Sequence, residues 1–109
     1  MIEYSKNLQK IVEPSNLISA VHQAAIGSDL FDTNDIRTRA MVFEDFQIRA
    51  DKHHFIHVTL RIMTGRTNAQ KTQLSQKVLA ALKTFNFSSI ILSVEIRDID
   101  QPTYAKETL

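Results

Sequence analysis

The sequence contains no cysteine, only two glycines and two prolines, and almost no net charge. Without cysteine there is no disulfide, no thiolate nucleophile and no thiolate metal ligand, and a reducing compartment is weakly favoured. So little glycine and proline argues against a loop-rich all-β fold and against a disordered tail. Thirteen Lys and Arg against twelve Asp and Glu leave a net charge of +1. The basic residues are dispersed, so no nucleic-acid partner is expected. No apolar run approaches the length of a membrane span, and Met1-Ile2-Glu3-Tyr4-Ser5 lacks the basic and apolar regions of a signal peptide. A cytoplasmic protein with no membrane partner is the default. The 109 residues, 43% hydrophobic and 23% charged, suit one globular domain over 1–109.

What is present is clearest between Phe55 and Phe85. Ile56, Val58, Leu60 and Ile62 alternate with Phe55, His57, Thr59 and Arg61, the period-two pattern of a strand with one buried face. Gly65 and Arg66 follow, and Thr67-Asn68-Ala69-Gln70 forms a capping box. The helix behind it carries Leu74, Val78, Ala81, Leu82 and Phe85 on one stripe. This places a guanidinium at a helix N-terminus, a corner that attracts anions.

Around this unit, Met1 to Ser5 reads as a short strand. A helix opens at Ser15-Asn16 after Pro14, with Leu17, Val21, Ala24 and Ala25 on its apolar stripe, and Gly27 ends it. Ile36 to Phe43 is extended, and Glu44-Asp45 is expected to turn it into Phe46-Gln47-Ile48-Arg49 as a small hairpin. Asn86 breaks the second helix, Ser89 to Arg97 alternates as a last strand, and residues 100–109 read as a polar tail. Right-handed crossovers make strand-helix-strand units parallel. The expected fold is therefore an α/β (α+β) sandwich: two β-α-β units in a four-stranded mixed sheet with two helices on one face.

The opposite sheet face collects Glu3, His57, Thr59, Arg61, Ser93, Glu95 and Arg97, with Phe55 and Ile91. Such a face is either solvated or buried against sister subunits. A small core favours the second. Glu3, Arg61, Glu95 and Arg97 read as a charge network rather than an acid/base pair. His53, His54 and His57 have no carboxylate at ligand spacing, so they read as a solvent-facing pair and an interface histidine, with no metal.

Ile2-Glu3-Tyr4-Ser5-Lys6-Asn7-Leu8, Ile36-Arg37-Thr38-Arg39, Phe55 to Ile62 with Gly65-Arg66-Thr67, Ser93-Val94-Glu95-Ile96 and Pro102 together resemble the tautomerase superfamily. Within it they resemble the 5-carboxymethyl-2-hydroxymuconate Δ-isomerase family over nearly the whole chain. No single motif is specific; their order and spacing carry the resemblance. It implies a homotrimer and a cofactor-independent isomerase of homoprotocatechuate breakdown. The implied substrate is a small polycarboxylate dienol, held by arginines. The implied catalyst is an N-terminal proline that shuttles a proton. This chain instead begins Met1-Ile2, and Met1 aligns with the fourth residue of the mature family chain. A start assigned too late, with Met-Pro-x upstream, is expected. The competing expectation is a shortened, non-catalytic trimeric protein that binds a small carboxylate or serves in assembly.

Arg37 and Arg39, two apart on an extended segment, point to one side and suit either a polycarboxylate or a solvated, salt-bridged surface. The resemblance assigns Arg37 and Arg66 to the active site, as carboxylate-binding and electrostatic groups. Guanidinium stays protonated, so neither is a base. Arg39 is expected to bind substrate. Phe43 or Phe46 would wall the pocket, though Tyr4, Phe43, Phe46 and Phe85 also read simply as core or interface. The Met1 α-amino group, ordinarily of pKa about 7.7–8.0 and lowered by nearby arginines, falls short of the family's catalytic position by several residues.

Overall fold

The computed structural model describes all 109 residues. The elements are β1 (Ile2–Ser5), α1 (Pro14–Gly27), β2 (Ala40–Phe43), β3 (His54–Met63), α2 (Asn68–Lys83) and β4 (Ile90–Ile99). Short 3₁₀ turns occupy Lys6–Lys10, Thr33–Asp35 and Gln101–Thr103. The sheet order is β2-β1-β3-β4. β1 runs parallel to β2 and β3 parallel to β4, while β1 and β3 are antiparallel, so two β-α-β units meet at the sheet centre.

Local chemistry explains the element boundaries. Pro14 is the first residue of α1, where its missing N–H costs nothing. The Thr67 hydroxyl accepts from the Gln70 N–H at 3.1 Å and the Gln70 side chain accepts from the Thr67 N–H at 2.8 Å, which closes the expected capping box of α2. Asn86 and Ser89 take positive φ and redirect the chain from α2 into β4.

Ile56, Val58 and Ile62 of β3 bury against Leu17 and Val21 of α1 and Leu74, Val78 and Leu82 of α2, with Ile2 and Tyr4 of β1 in the same cluster. Both helices therefore cover one sheet face. The other carries the polar residues and an apolar corner, where Phe55 packs against Phe46 with ring centres 5.2 Å apart and against Phe43 at 6.2 Å.

The expected hairpin does not form. Only Ala40–Phe43 is a strand, and its partner is β1 in parallel. Phe46 is taken up by Phe55, Arg49 by Asp51 at 2.6 Å, and Glu44 by Lys6 at 2.6 Å. These side-chain contacts engage residues 44–49 without a ladder.

On the uncovered face His57 is the centre of a polar cluster. Its Nδ1 lies 2.6 Å from the Ser93 hydroxyl and its Nε2 2.9 Å from Glu95, which also accepts from Thr59 and Arg97 at 3.2 Å each. Glu95 and Arg97 thus join a network as expected, while Glu3 and Arg61 turn toward a cleft.

Candidate active site

At one end of the uncovered face, where β1 begins and β3 and β4 end, lies a cleft of about 750 Å³. Antiparallel pairing of β1 with β3 brings the chain start to Thr59: the Met1 α-amino group donates to the Thr59 carbonyl at 2.9 Å, and the Thr59 N–H donates to the Met1 carbonyl at 2.9 Å. Parallel pairing with β2 sets Arg39 beside them, its carbonyl accepting from the Ile2 N–H at 2.8 Å. Arg37 lies two residues back along the same extended run. His22 of α1 meets the hydroxyl of the intervening Thr38 at 2.7 Å. Because side chains alternate in extended backbone, anchoring Thr38 on one side turns Arg37 and Arg39 to the other.

Arg66 enters from the turn between β3 and α2. Gly65, at φ +117°, makes that turn possible. The guanidinium donates to the Leu30 carbonyl at 2.7 Å and the Met63 carbonyl at 3.2 Å, and lies 5.4 Å from the Phe31 ring centre. Two of its five N–H donors are so used, which fixes the side chain and leaves three free.

Arg37, Arg39, Arg61, Arg66 and Lys106 line the cleft against three carboxylates, Glu3, Asp32 and Asp35. Asp35 is already paired with Lys106 at 2.7 Å, and Asp32 accepts the Asn34 N–H at 3.0 Å. Arg39 and Arg61 have no side-chain partner, and Arg37 has only the Tyr104 hydroxyl at 3.4 Å. Several guanidiniums in one concavity without matching carboxylates are suited to a ligand bearing more than one carboxylate. The same field acts on Met1. Burial first, then Arg39 and Arg61, hold its α-amino pKa below the usual 8.0, with Glu3 opposing.

Of the residues singled out from sequence, Arg37, Arg39 and Arg66 meet in this cleft. Phe43 stands apart at the far end of β2, against Phe55. The aromatic residues of the cleft are Phe31 and Tyr104. Arg61 also belongs here, although its alternation in β3 gave only its face. Asp35, Tyr104 and Lys106 had no sequence signal, because loop and terminal residues carry no periodicity.

A family model for 5-carboxymethyl-2-hydroxymuconate isomerase matches residues 1–109. No curated protein sequence matches the chain. Among solved structures, a 5-carboxymethyl-2-hydroxymuconate isomerase from Deinococcus radiodurans R1 is similar at 22% identity and a TM-score of 0.84, over 99% of this chain and 87% of that one. A 5-carboxymethyl-2-hydroxymuconate delta-isomerase aligns at 17% identity and a TM-score of 0.81, over 98% and 85% respectively. A fused 4-OT described as an asymmetric trimer aligns at 16% and 0.65, over 96% and 90%. These likenesses establish the tautomerase-like fold. The full-length family match favours an isomerase over a non-catalytic binding or assembly protein. The chain belongs to the 5-carboxymethyl-2-hydroxymuconate isomerase family, and its function is that of an isomerase or tautomerase.

Proposed function

We propose that the cleft binds a small unsaturated polycarboxylate of the 5-carboxymethyl-2-hydroxymuconate type, as in homoprotocatechuate breakdown, and that Arg37 and Arg66 grip and polarise it while Arg39 binds a further carboxylate. The observation that carries this reading is the excess of guanidiniums over free carboxylates in one concavity. Arg66 suits the electrostatic role because two carbonyls hold it in place before any ligand arrives. Arg37, loosely held, suits capture of a carboxylate.

The reaction is a proton transfer for which no cofactor is invoked. An amine removes a proton from one position of the conjugated acid and returns it at another, so the composition of the molecule is unchanged. In a chain extended by three residues ahead of Met1, β1 continues by about 10 Å. By the register of β1 with β3, the added residues pass Leu60 and Arg61 and reach Ile62. A leading proline then presents its secondary amine on the cleft floor between the arginines.

The same reading includes a homotrimer formed through the uncovered sheet face, and a cytoplasmic setting. In support of the first, only 13 of 109 residues are buried in the isolated chain, and Met41 is 49% exposed on that face. In support of the second, no helix is long and apolar enough to cross a membrane.

The test compares enol–keto conversion of 2-hydroxymuconate-type acids by the chain beginning at Met1 and by one extended with Pro-x-x. Turnover in the extended form that disappears in its Arg37→Ala and Arg66→Ala variants is the expected result. Background rates in both forms would defeat the proposal. The intact mass of the protein made from its own locus decides which form is native.

A further inference from the structure

The C-terminal segment closes the cleft with a residue of its own. After β4, the Gln101–Thr103 turn reverses the chain. The Thr103 hydroxyl donates to the Asp100 carboxylate at 2.7 Å and the Tyr104 N–H donates to the Gln101 carbonyl at 3.2 Å, which stiffens this corner. Two contacts then fasten the following residues to the rim opposite. Lys106 pairs with Asp35 at 2.7 Å, and the Tyr104 hydroxyl accepts from Arg37 at 3.4 Å. Both contacts land within three residues of one another, on Asp35 and Arg37.

Tyr104 is 37% exposed and lies outside the hydrophobic core, in the lining of the cleft. What its hydroxyl meets is a guanidinium, and a guanidinium only donates. The phenol oxygen therefore spends acceptor capacity on Arg37 and keeps its own proton available. A carboxylate seated on Arg37 brings an acceptor to that proton. At 3.4 Å the Arg37–Tyr104 bond is long, leaving Arg37 free to turn toward an anion.

We propose that Tyr104 is a carboxylate-binding residue that shares with Arg37 one carboxylate of the bound acid, and that the Lys106–Asp35 pair holds it in place. The proposal rests on the reading of this cleft as a polycarboxylate site. It adds a neutral donor to an otherwise cationic set, which favours a ligand presenting a carboxylate at this rim over one gripped only at the cleft floor.

The experiment is titration calorimetry of the full chain with cis,cis-muconate, a stable unsaturated dicarboxylate. Tyr104→Phe keeps the ring and removes only the hydroxyl. It is expected to weaken binding about tenfold, the usual effect of losing a hydrogen bond to a charged group, and Tyr104→Ala no more than that. Adding Tyr104→Phe to Arg37→Ala should cost little further, because both act on the same carboxylate. Wild-type affinity in Tyr104→Phe, with binding weakened in Arg37→Ala, would overturn this inference and leave the polycarboxylate site standing. The absence of muconate binding in the wild-type chain would overturn both.

Discussion

The His22 imidazole and the Thr38 hydroxyl, 2.7 Å apart, fasten helix α1 to the residue that separates Arg37 from Arg39. Neither residue faces the cleft, yet together they decide which way two of its guanidiniums point. Thr38→Val keeps the shape and removes the hydroxyl. It is expected to lower stability by about 0.5–1.5 kcal/mol, one ordinary hydrogen bond. It should also weaken muconate binding several-fold, since two arginines lose their fixed approach. Urea unfolding and calorimetry on the same samples measure both effects. An unchanged affinity would mean that the strand pairing alone orients Arg37 and Arg39.

Arg61 acts on the cleft through its charge. It has no side-chain partner and helps to depress the Met1 amine. Arg61→Gln should therefore weaken binding of a dicarboxylate and raise the Met1 pKa toward 8.0 in the chain that begins there. The sign for stability follows from proton affinity. The unfolded chain holds the amine proton to higher pH than the folded one, so stability rises with pH through the window that ends near 8.0. Arg61→Gln should flatten that rise. Amine labelling against pH and denaturant titrations in the same range would detect it.

Glu95 sets a window on the acid side. Its hydrogen bond with His57 holds its pKa below the usual 4.5, helped by Thr59 and Arg97 and opposed by desolvation. A depressed carboxylate contributes stability above its unfolded pKa and loses that contribution as pH falls through the lower, folded value. Glu95→Gln should remove this part of the acid limb while leaving the curve near neutrality almost parallel to that of wild type. Unfolding midpoints between about pH 3 and pH 7 test this, and an acid limb identical to wild type would show that the His57 cluster does not stabilise the fold.

The strands and helices were legible because each obeys a period. The alternation from Phe55 to Ile62 became β3, and the Leu74, Val78, Leu82 stripe became the buried face of α2. Arg66 was marked by its place before a helix N-terminus, but Arg37 and Arg39 were legible only through resemblance, since spacing alone favours a solvated or salt-bridged pair. Phe46-Gln47-Ile48-Arg49 was expected to return from a turn at Glu44-Asp45 as a hairpin arm, but alternation of Phe46 and Ile48 with polar neighbours does not say whether a partner strand exists. Phe43 or Phe46 was expected to wall the pocket or to pack as core or interface; Phe43 packs against Phe55, across the sheet. The cleft's other contributors, Phe31, Tyr104 and Lys106, sit where the chain has no regular structure. Their positions follow from long-range contacts such as Lys106 with Asp35, which no local pattern encodes.

Gly65 links the fold to the site most directly, and a contrast with Gly27 isolates how. A Cβ added at either glycine meets nothing within 4 Å, so crowding does not distinguish them. Backbone conformation does. Gly27 closes α1 and has no positive φ, whereas Gly65 sits at φ +117°, a region closed to side chains. Gly27→Ala is therefore expected to be neutral or to stabilise by up to about 1 kcal/mol by narrowing the unfolded ensemble. Gly65→Ala is expected to cost about 1–3 kcal/mol or to force the turn into another shape. A reshaped turn moves Arg66 away from the Leu30 and Met63 carbonyls that fix it. Carboxylate affinity should then fall together with stability in Gly65→Ala and stay unchanged in Gly27→Ala. Chemical denaturation and muconate calorimetry on the two variants read both quantities. If Gly65→Ala loses stability but keeps wild-type affinity, the turn does not aim Arg66, and the role of that arginine must be sought in its contact with Phe31.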